Sequence, residues 1–286
     1  MREKRIEHGR ATQGALVYLT GFSILLYYYN ILALNKFRPL KAPNLVKVKL
    51  YGRSGSMQWL LSLAEEYRNL LRNGHFYETL AVTSTPEEIR GWIRQLYHLS
   101  RDFTSALSLR HAMCHDPYYQ GCFARHAMEE VDHCERLIEW MHTYDFLEPD
   151  ESPTNVPATL ETISVNAYCF RSVLRESNAH QIITLNLISE GASYDFFCAA
   201  SPKLAKLGLQ AGRYWQIHNQ IDQQHLAMGL DLIPQCEKDS SLGKVYARIA
   251  WEMTCLYGQM LDSWSLLGNK TTGDRHELSK VAALTR

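Results

Sequence analysis

The chain has 286 residues, with 30 basic and 30 acidic side chains and no net charge. That balance, with no long basic run and no nucleic-acid motif, argues against a nucleic-acid partner. Seven cysteines, odd in number and without C-x2-C spacing, argue against a disulfide framework or a zinc ribbon and fit a reducing cytosol.

Met1–Arg10 carries Arg2, Lys4, Arg5 and Arg10, whereas Ala11–Asn35 carries no charge. The uncharged stretch is longer than the roughly 20 residues that span a bilayer, and positive charge ahead of it suits a signal anchor. Thr20, Gly21, Ser23, Tyr27–Tyr29 and Asn30 dilute it, which favours a buried or interface-packing helix over an anchor or a membrane-lying helix. No small-x-small site follows, so a removed signal peptide is not expected. The expected location is cytoplasmic, with membrane association through residues 11–35 as the alternative. Asn44–Leu50 alternates like a short strand, Gly52–Ser56 reads as a turn, and Met57–Arg72 returns to helical spacing. Residues 1–84 read as an N-terminal extension, 85–268 as the functional domain and 269–286 as a polar tail.

Ser84-Thr85-Pro86-Glu87-Glu88 combines a hydroxyl cap, an early proline and early acids, and predicts a helix running to about Cys114. A single helix is predicted next, from about Tyr118 to Tyr144, followed by a linker at Pro149–Pro157. Helices follow at about Ala158–Arg175 and Asn178–Ala200. Ser201-Pro202 is expected to start another, which bends or restarts near Gly208 and Gly212 and runs to about Ile233. Leu242–Leu267 is a final amphipathic helix. The periodicity is helical apart from the one strand candidate, so the class is all-α.

Two stretches carry the chemistry. His218, Asp222 and His225 are spaced H-x3-D-x2-H, and His126, Glu130 and His133 are spaced H-x3-E-x2-H. On a helix each set forms one stripe. Two facing stripes of this kind are how a helical bundle builds a carboxylate-bridged metal pair. Several imidazoles with several carboxylates favour iron or manganese over zinc. Met128, Val131 and Leu137 flank one stripe and Leu226, Met228 and Leu230 the other, so burial without a metal or tight pairing would be costly. His75, His98, His111, His115, His142 and His180 stand alone and read as surface or packing residues. Spacing by itself leaves a metal site and surface or packing roles as even alternatives.

Three segments in order resemble the haem-oxygenase-like di-iron oxidases, relatives of the TenA and PqqC proteins that bind no haem. They are Glu130-x2-His133, Leu187-Ile188-Ser189-Glu190-Gly191, and His218-x3-Asp222-x2-His225 followed by Ala227-Met228-Gly229. The resemblance covers about residues 85–268 and implies a haem-oxygenase-like bundle of about seven core helices behind an apolar helical extension. It implies that Glu130, His133, Glu190 and His225 hold one iron, that His218 and Asp222 hold a second, and that Glu190 bridges. Many members carry a further glutamate seven residues before the first-helix histidine, where this chain has His126. Either His126 ligates in its place, or Glu129 or Asp132 compensates, or the second iron is held weakly. The resemblance also implies dioxygen as co-substrate, bound as a bridging peroxide, an external electron donor and a small substrate. The first expectation is a free aliphatic amino acid, desaturated or cyclised in a natural-product pathway such as antibiotic biosynthesis. N-oxygenation of an amino-acid amine and oxidation of a fatty-acid-like chain are the alternatives.

Arg213 or Arg125 is a candidate clamp for a substrate carboxylate, and Phe197 and Tyr194 are candidates for the pocket. The bland readings are a surface ion pair for the arginine and core packing for the aromatics. Two rivals remain: a thiol-dependent relative using Cys198, and a non-catalytic helical binding or assembly protein, with a homodimer among the assemblies open to the chain.

Overall fold

The computed structural model describes residues 57–267. The apolar stretch Ala11–Asn35, the strand expected at Asn44–Leu50, the turn at Gly52–Ser56 and the polar tail lie outside the described residues. Every regular element among the described residues is helical. None of these helices is long and apolar enough to cross a membrane.

Helix α1 (Gln58–Arg72) buries Leu60, Leu63, Ala64, Arg68 and Leu71, one stripe of a 3.6-residue period. Helix α2 (His75–Val82) follows. The start expected near Pro86 is a single 3-10 turn, Glu87–Ile89, leading into α3 (Arg90–Met113). The Ser84 and Thr85 hydroxyls do not cap it. Instead the Glu88 carboxylate reaches back and accepts from Ser84 N at 2.7 Å, an acid at the positive end of the helix.

The rod expected over 118–144 is two helices, α4 (Pro117–Glu129) and α5 (His133–Thr143). Asp116 caps α4 by accepting from Tyr118 N at 3.0 Å. At the break the Glu130 carbonyl accepts from His133 N (3.3 Å) and from the Thr104 hydroxyl of α3 (3.3 Å). Asp132 starts α5 and pairs with Arg136 one turn on. The break also turns Met128 (75% exposed) and Val131 (62%) to solvent, so the apolar flank expected beside Glu130 and His133 is only Leu137.

Helix α6 (Leu160–Arg175) is capped by Thr159, whose hydroxyl accepts from Thr162 N at 3.2 Å. A long rod then begins with α7 (Asn178–Gln181), continues as a π-helical segment over Ile182–Glu190, and ends as α8 (Gly191–Lys206). Pro202 starts no new helix, because α8 runs through it. The proline forfeits the bond to the carbonyl of Cys198, an exposed residue. Gly208, at φ +79°, ends the rod in the left-handed conformation that glycine adopts freely.

Helix α9 (Arg213–Ala227) stops short of the expected Ile233. Gly229 turns the chain at φ +82°, and a Cβ there would meet Ile182 Cδ1 at 3.0 Å and Cys122 Sγ at 3.1 Å. Helix α10 (Ser241–Ser265) closes the described chain, capped by Ser240. The π-helical segment is buried along its whole length and packs against α9 and α10. Beside it Phe76, Trp92, Phe196, Trp215 and Trp264 form an aromatic cluster with ring centroids 5.5–6.4 Å apart. Arg68 donates to both Asp195 oxygens (2.8 and 2.6 Å) and so ties α1 to α8.

Candidate metal centre

The two stripes meet in the core. His126, Glu130, His133, Glu190, Asp222 and His225 are each at most 3% exposed, and His218 is 7% exposed. The stripe on α9 is an unbroken α-helical face. The other is split, with His126 on α4, Glu130 in the break and His133 opening α5. The π-helical segment delivers Glu190 opposite them. It widens the helix there, and such segments recur at functional sites. The Ser189 hydroxyl donates to the Thr184 carbonyl five residues back (2.8 Å), filling an acceptor of this winding.

Two groups of potential ligand atoms share Glu130. In one, atoms of His126, Glu130, Glu190 and His225 lie within 4.8 Å of one another; in the other, those of Glu130, His133 and His218 do. His225 Nδ1 stands 3.2 Å from Glu130 Oε1 and 3.5 Å from Glu190 Oε1. His133 Nδ1 stands 2.6 Å from Glu130 Oε2. These approaches lack hydrogen-bond directionality: His225 Nδ1, His133 Nδ1 and Glu130 Oε1 are buried without a hydrogen-bond partner among the described residues, as are His218 Nε2 and Asp222 Oδ2. Buried polar atoms are nearly always satisfied, so this concentration of orphans in one place needs an explanation. A cation between them supplies one.

The far sides of the rings are held. His218 Nδ1 stands 2.9 Å from Asp222 Oδ1, and Phe197 stacks flat on the His218 ring at 4.1 Å. Asp222 therefore touches His218 and stands outside both ligand groups. His225 Nε2 stands 2.9 Å from Glu129 Oε2. A carboxylate behind a histidine fixes the tautomer that presents the other nitrogen to a metal. Glu129 is thus engaged behind His225, and Asp132 is engaged with Arg136.

The electrostatics fit a site built for added positive charge. Burial and the neighbouring Glu190 and Glu130 push Asp222 well above the usual carboxylate range. Burial also opposes charge on Glu130, but contacts with His133 and His225 hold its carboxyl well below that range. His225 is lowered by burial, yet its approach to Glu130 and Glu190 outweighs this and takes it up to about 11. The metal-free chain therefore keeps a proton on His225 at neutral pH, and this interaction is lost only as pH rises through about 11. A cation at Nδ1 must displace that proton. Zinc or ferrous iron added in weak buffer at neutral pH is expected to release about one proton per chain, with affinity rising with pH. An indicator dye reads the release, and binding without it would contradict this arrangement.

Four further residues were expected near a substrate. Phe197 lines the cavity beside Glu130, Glu190 and His218. Tyr194 does not. Glu190, Ser193 and Phe197 share the inward stripe, and Tyr194 turns toward Arg68, whose guanidinium carbon lies 5.8 Å from its ring. The Arg125 side chain is 62% exposed, 4.0 Å from Glu129. Arg213 is exposed and lines an outer groove with Asp132, Glu135 and Arg136. Cys198 is exposed as well. The sequence reading missed Arg110, Asn186 and Tyr257. The first two contact His126, and Tyr257 lines the cavity with its hydroxyl 3.0 Å from Ser193 Oγ.

A TenA homologue from Pseudomonas syringae pv. tomato superposes with TM-score 0.60 at 12% identity, covering 76% of this chain and 99% of its own. A domain of unknown function with a heme oxygenase-like fold from Shewanella denitrificans gives 0.56 at 14%, covering 74% and 93%. A TenA homologue from Pyrococcus furiosus gives 0.51 at 13%, covering 72% and 98%. At such identities these likenesses establish the haem-oxygenase-like fold alone. No curated protein matches the sequence. The model of a family described as iron-containing redox enzyme matches residues 90–258, more than half of the chain, across every segment that builds the buried cluster. The chain belongs to that family of iron-containing redox enzymes.

Proposed function

We propose that the protein is a non-haem di-iron oxidase that uses dioxygen to oxidise an apolar aliphatic substrate. The observation that carries this is the set of orphaned ligand atoms from Glu130, His133, His218 and His225, buried at the meeting point of three helical segments. Glu130, Glu190 and His225 would hold one iron; His133 and His218 would hold the other, with Glu130 shared and Asp222 behind His218. Bound ferrous iron supplies the electrons and open positions needed to activate dioxygen.

The chain's own residues supply the rest. The cavity against Glu130, Glu190 and His218 has apolar walls, among them Leu96, Leu99, Phe103 and Val165. Its volume is about 30 Å³, room for little more than water, so a substrate enters only as these side chains move apart. Ser193 and Tyr257 place hydroxyls in the wall, able to hold a proton or orient one polar group. Among the described residues no lysine or arginine lines the cavity. Its two carboxylates, Glu130 and Glu190, are engaged with histidines, so the ammonium of a free amino acid finds no spare partner there. An aliphatic chain fits this wall better than the amino acid expected from resemblance. The exposed positions of Arg125 and Arg213 agree.

Oxygen uptake by the iron-loaded protein, with uncharged aliphatic alcohols offered beside free aliphatic amino acids, tests the substrate. Stimulation by the alcohols is expected, since one hydroxyl can pair with Ser193 or Tyr257 and the chain with the apolar wall. Stimulation by the amino acids alone would overturn this choice of substrate.

A further inference from the structure

His126 stands where relatives by resemblance carry a ligating glutamate. Its surroundings decide what it does. The Arg110 guanidinium, 1% exposed, places Nη2 2.8 Å from His126 Nδ1. A guanidinium only donates, so Nδ1 must offer a lone pair. Asn186 repeats the constraint. Its Oδ1 accepts from Arg110 Nη1 at 2.8 Å, which fixes the orientation of the amide. Asn186 Nδ2 then faces His126 Nδ1 at 2.9 Å as a second donor. The same amide donates to the His225 carbonyl at 3.1 Å, so a flipped amide would lose two contacts.

With Nδ1 accepting, a neutral imidazole carries its hydrogen on Nε2. That nitrogen lies 2.6 Å from Glu190 Oε1. We infer that His126 is a positioning residue and not a metal ligand: its Nε2–H donates to Glu190 and is held in that tautomer by Arg110 and Asn186. The chain Arg110–His126–Glu190 runs from a buried cation through a polarised neutral ring to a buried carboxylate. Each hydrogen bond strengthens the next. It also answers the Arg110 charge without an ion pair, while the ring of Phe123 lies 4.2 Å from its guanidinium carbon. Glu190 Oε1 is thereby fixed 3.5 Å from His225 Nδ1. His126 is not available to replace the glutamate, and its place in the sequence is explained by what stands behind it.

The inference rests on the proposed iron centre only for its metal arm. The first measurement is 15N NMR of histidine-labelled protein, without metal and after loading with diamagnetic zinc. His126→Gln identifies the signals of the ring. A protonated Nε2 and an unprotonated Nδ1 are expected in both states. A proton on Nδ1 without metal, or loss of the Nε2 proton on loading, would overturn the inference. The second measurement compares ferrous affinity of His126→Gln, which keeps an N–H near the Nε2 position, with that of His126→Ala. The alanine variant is expected to bind about 10–100-fold more weakly than wild type, and glutamine to recover most of the loss. Equal loss in both would mark a ligand and overturn the inference. If wild type takes up no metal, the iron centre fails, and the metal-free spectrum still decides the role of His126.

Discussion

Glu190→Gln is expected to weaken ferrous binding by roughly 100-fold or more, beyond the 10–100-fold typical of an outer hydrogen-bond partner. The side chain keeps its size, and its amide oxygen still accepts from His126 Nε2, so the fold is retained. The charge is lost at the point where His126, His225 and the ligand atoms of Glu130 converge. Isothermal titration under anaerobic conditions, with circular dichroism as the folding control, reads the effect. A folded Glu190→Gln protein that binds iron as wild type does would mean that Glu190 is only a packing partner of His126.

Trp215→Ala is expected to cost about 3–5 kcal/mol of stability, the range for removing a buried large aromatic. Trp215 is fully buried and its ring lies within 5.2–6.3 Å of Trp92, Trp140, Phe196, Phe197 and Tyr214. No single neighbour can collapse into the space it leaves. The loss reaches the site through Phe197 and Tyr214, which also pack on the His218 ring at 4.1 and 4.6 Å. Equilibrium unfolding in urea checks the figure. A loss under about 1 kcal/mol would show that these rings repack freely, contrary to a rigid support for the centre.

The α9 stripe was legible because α9 is an ordinary helix over the residues involved, so 3.6-residue spacing places His218, Asp222 and His225 together. The matching stripe was legible in composition but not in geometry. His126 and His133 meet their partners from two helices, and the break after Glu129 that separates them carries no proline or glycine to announce it. Glu190 stood out by resemblance alone. The π-helical winding that presents it leaves no local mark, since Ile182–Glu190 reads as any buried apolar helix would. Arg110 did leave a signal: it continues the buried face of Ala106 and Leu107 on α3, where a charge needs a partner. That partner, His126, comes from another helix, and spacing along one segment cannot show it.

Anaerobic titration of metal-free protein with ferrous iron, repeated with His218→Ala, tests the central claim most directly. The account predicts uptake of about two irons per chain, as facing carboxylate–histidine stripes in a bundle provide, and loss of one in the variant. Uptake of one or fewer by the wild-type chain, or a variant that still takes up two, would contradict it.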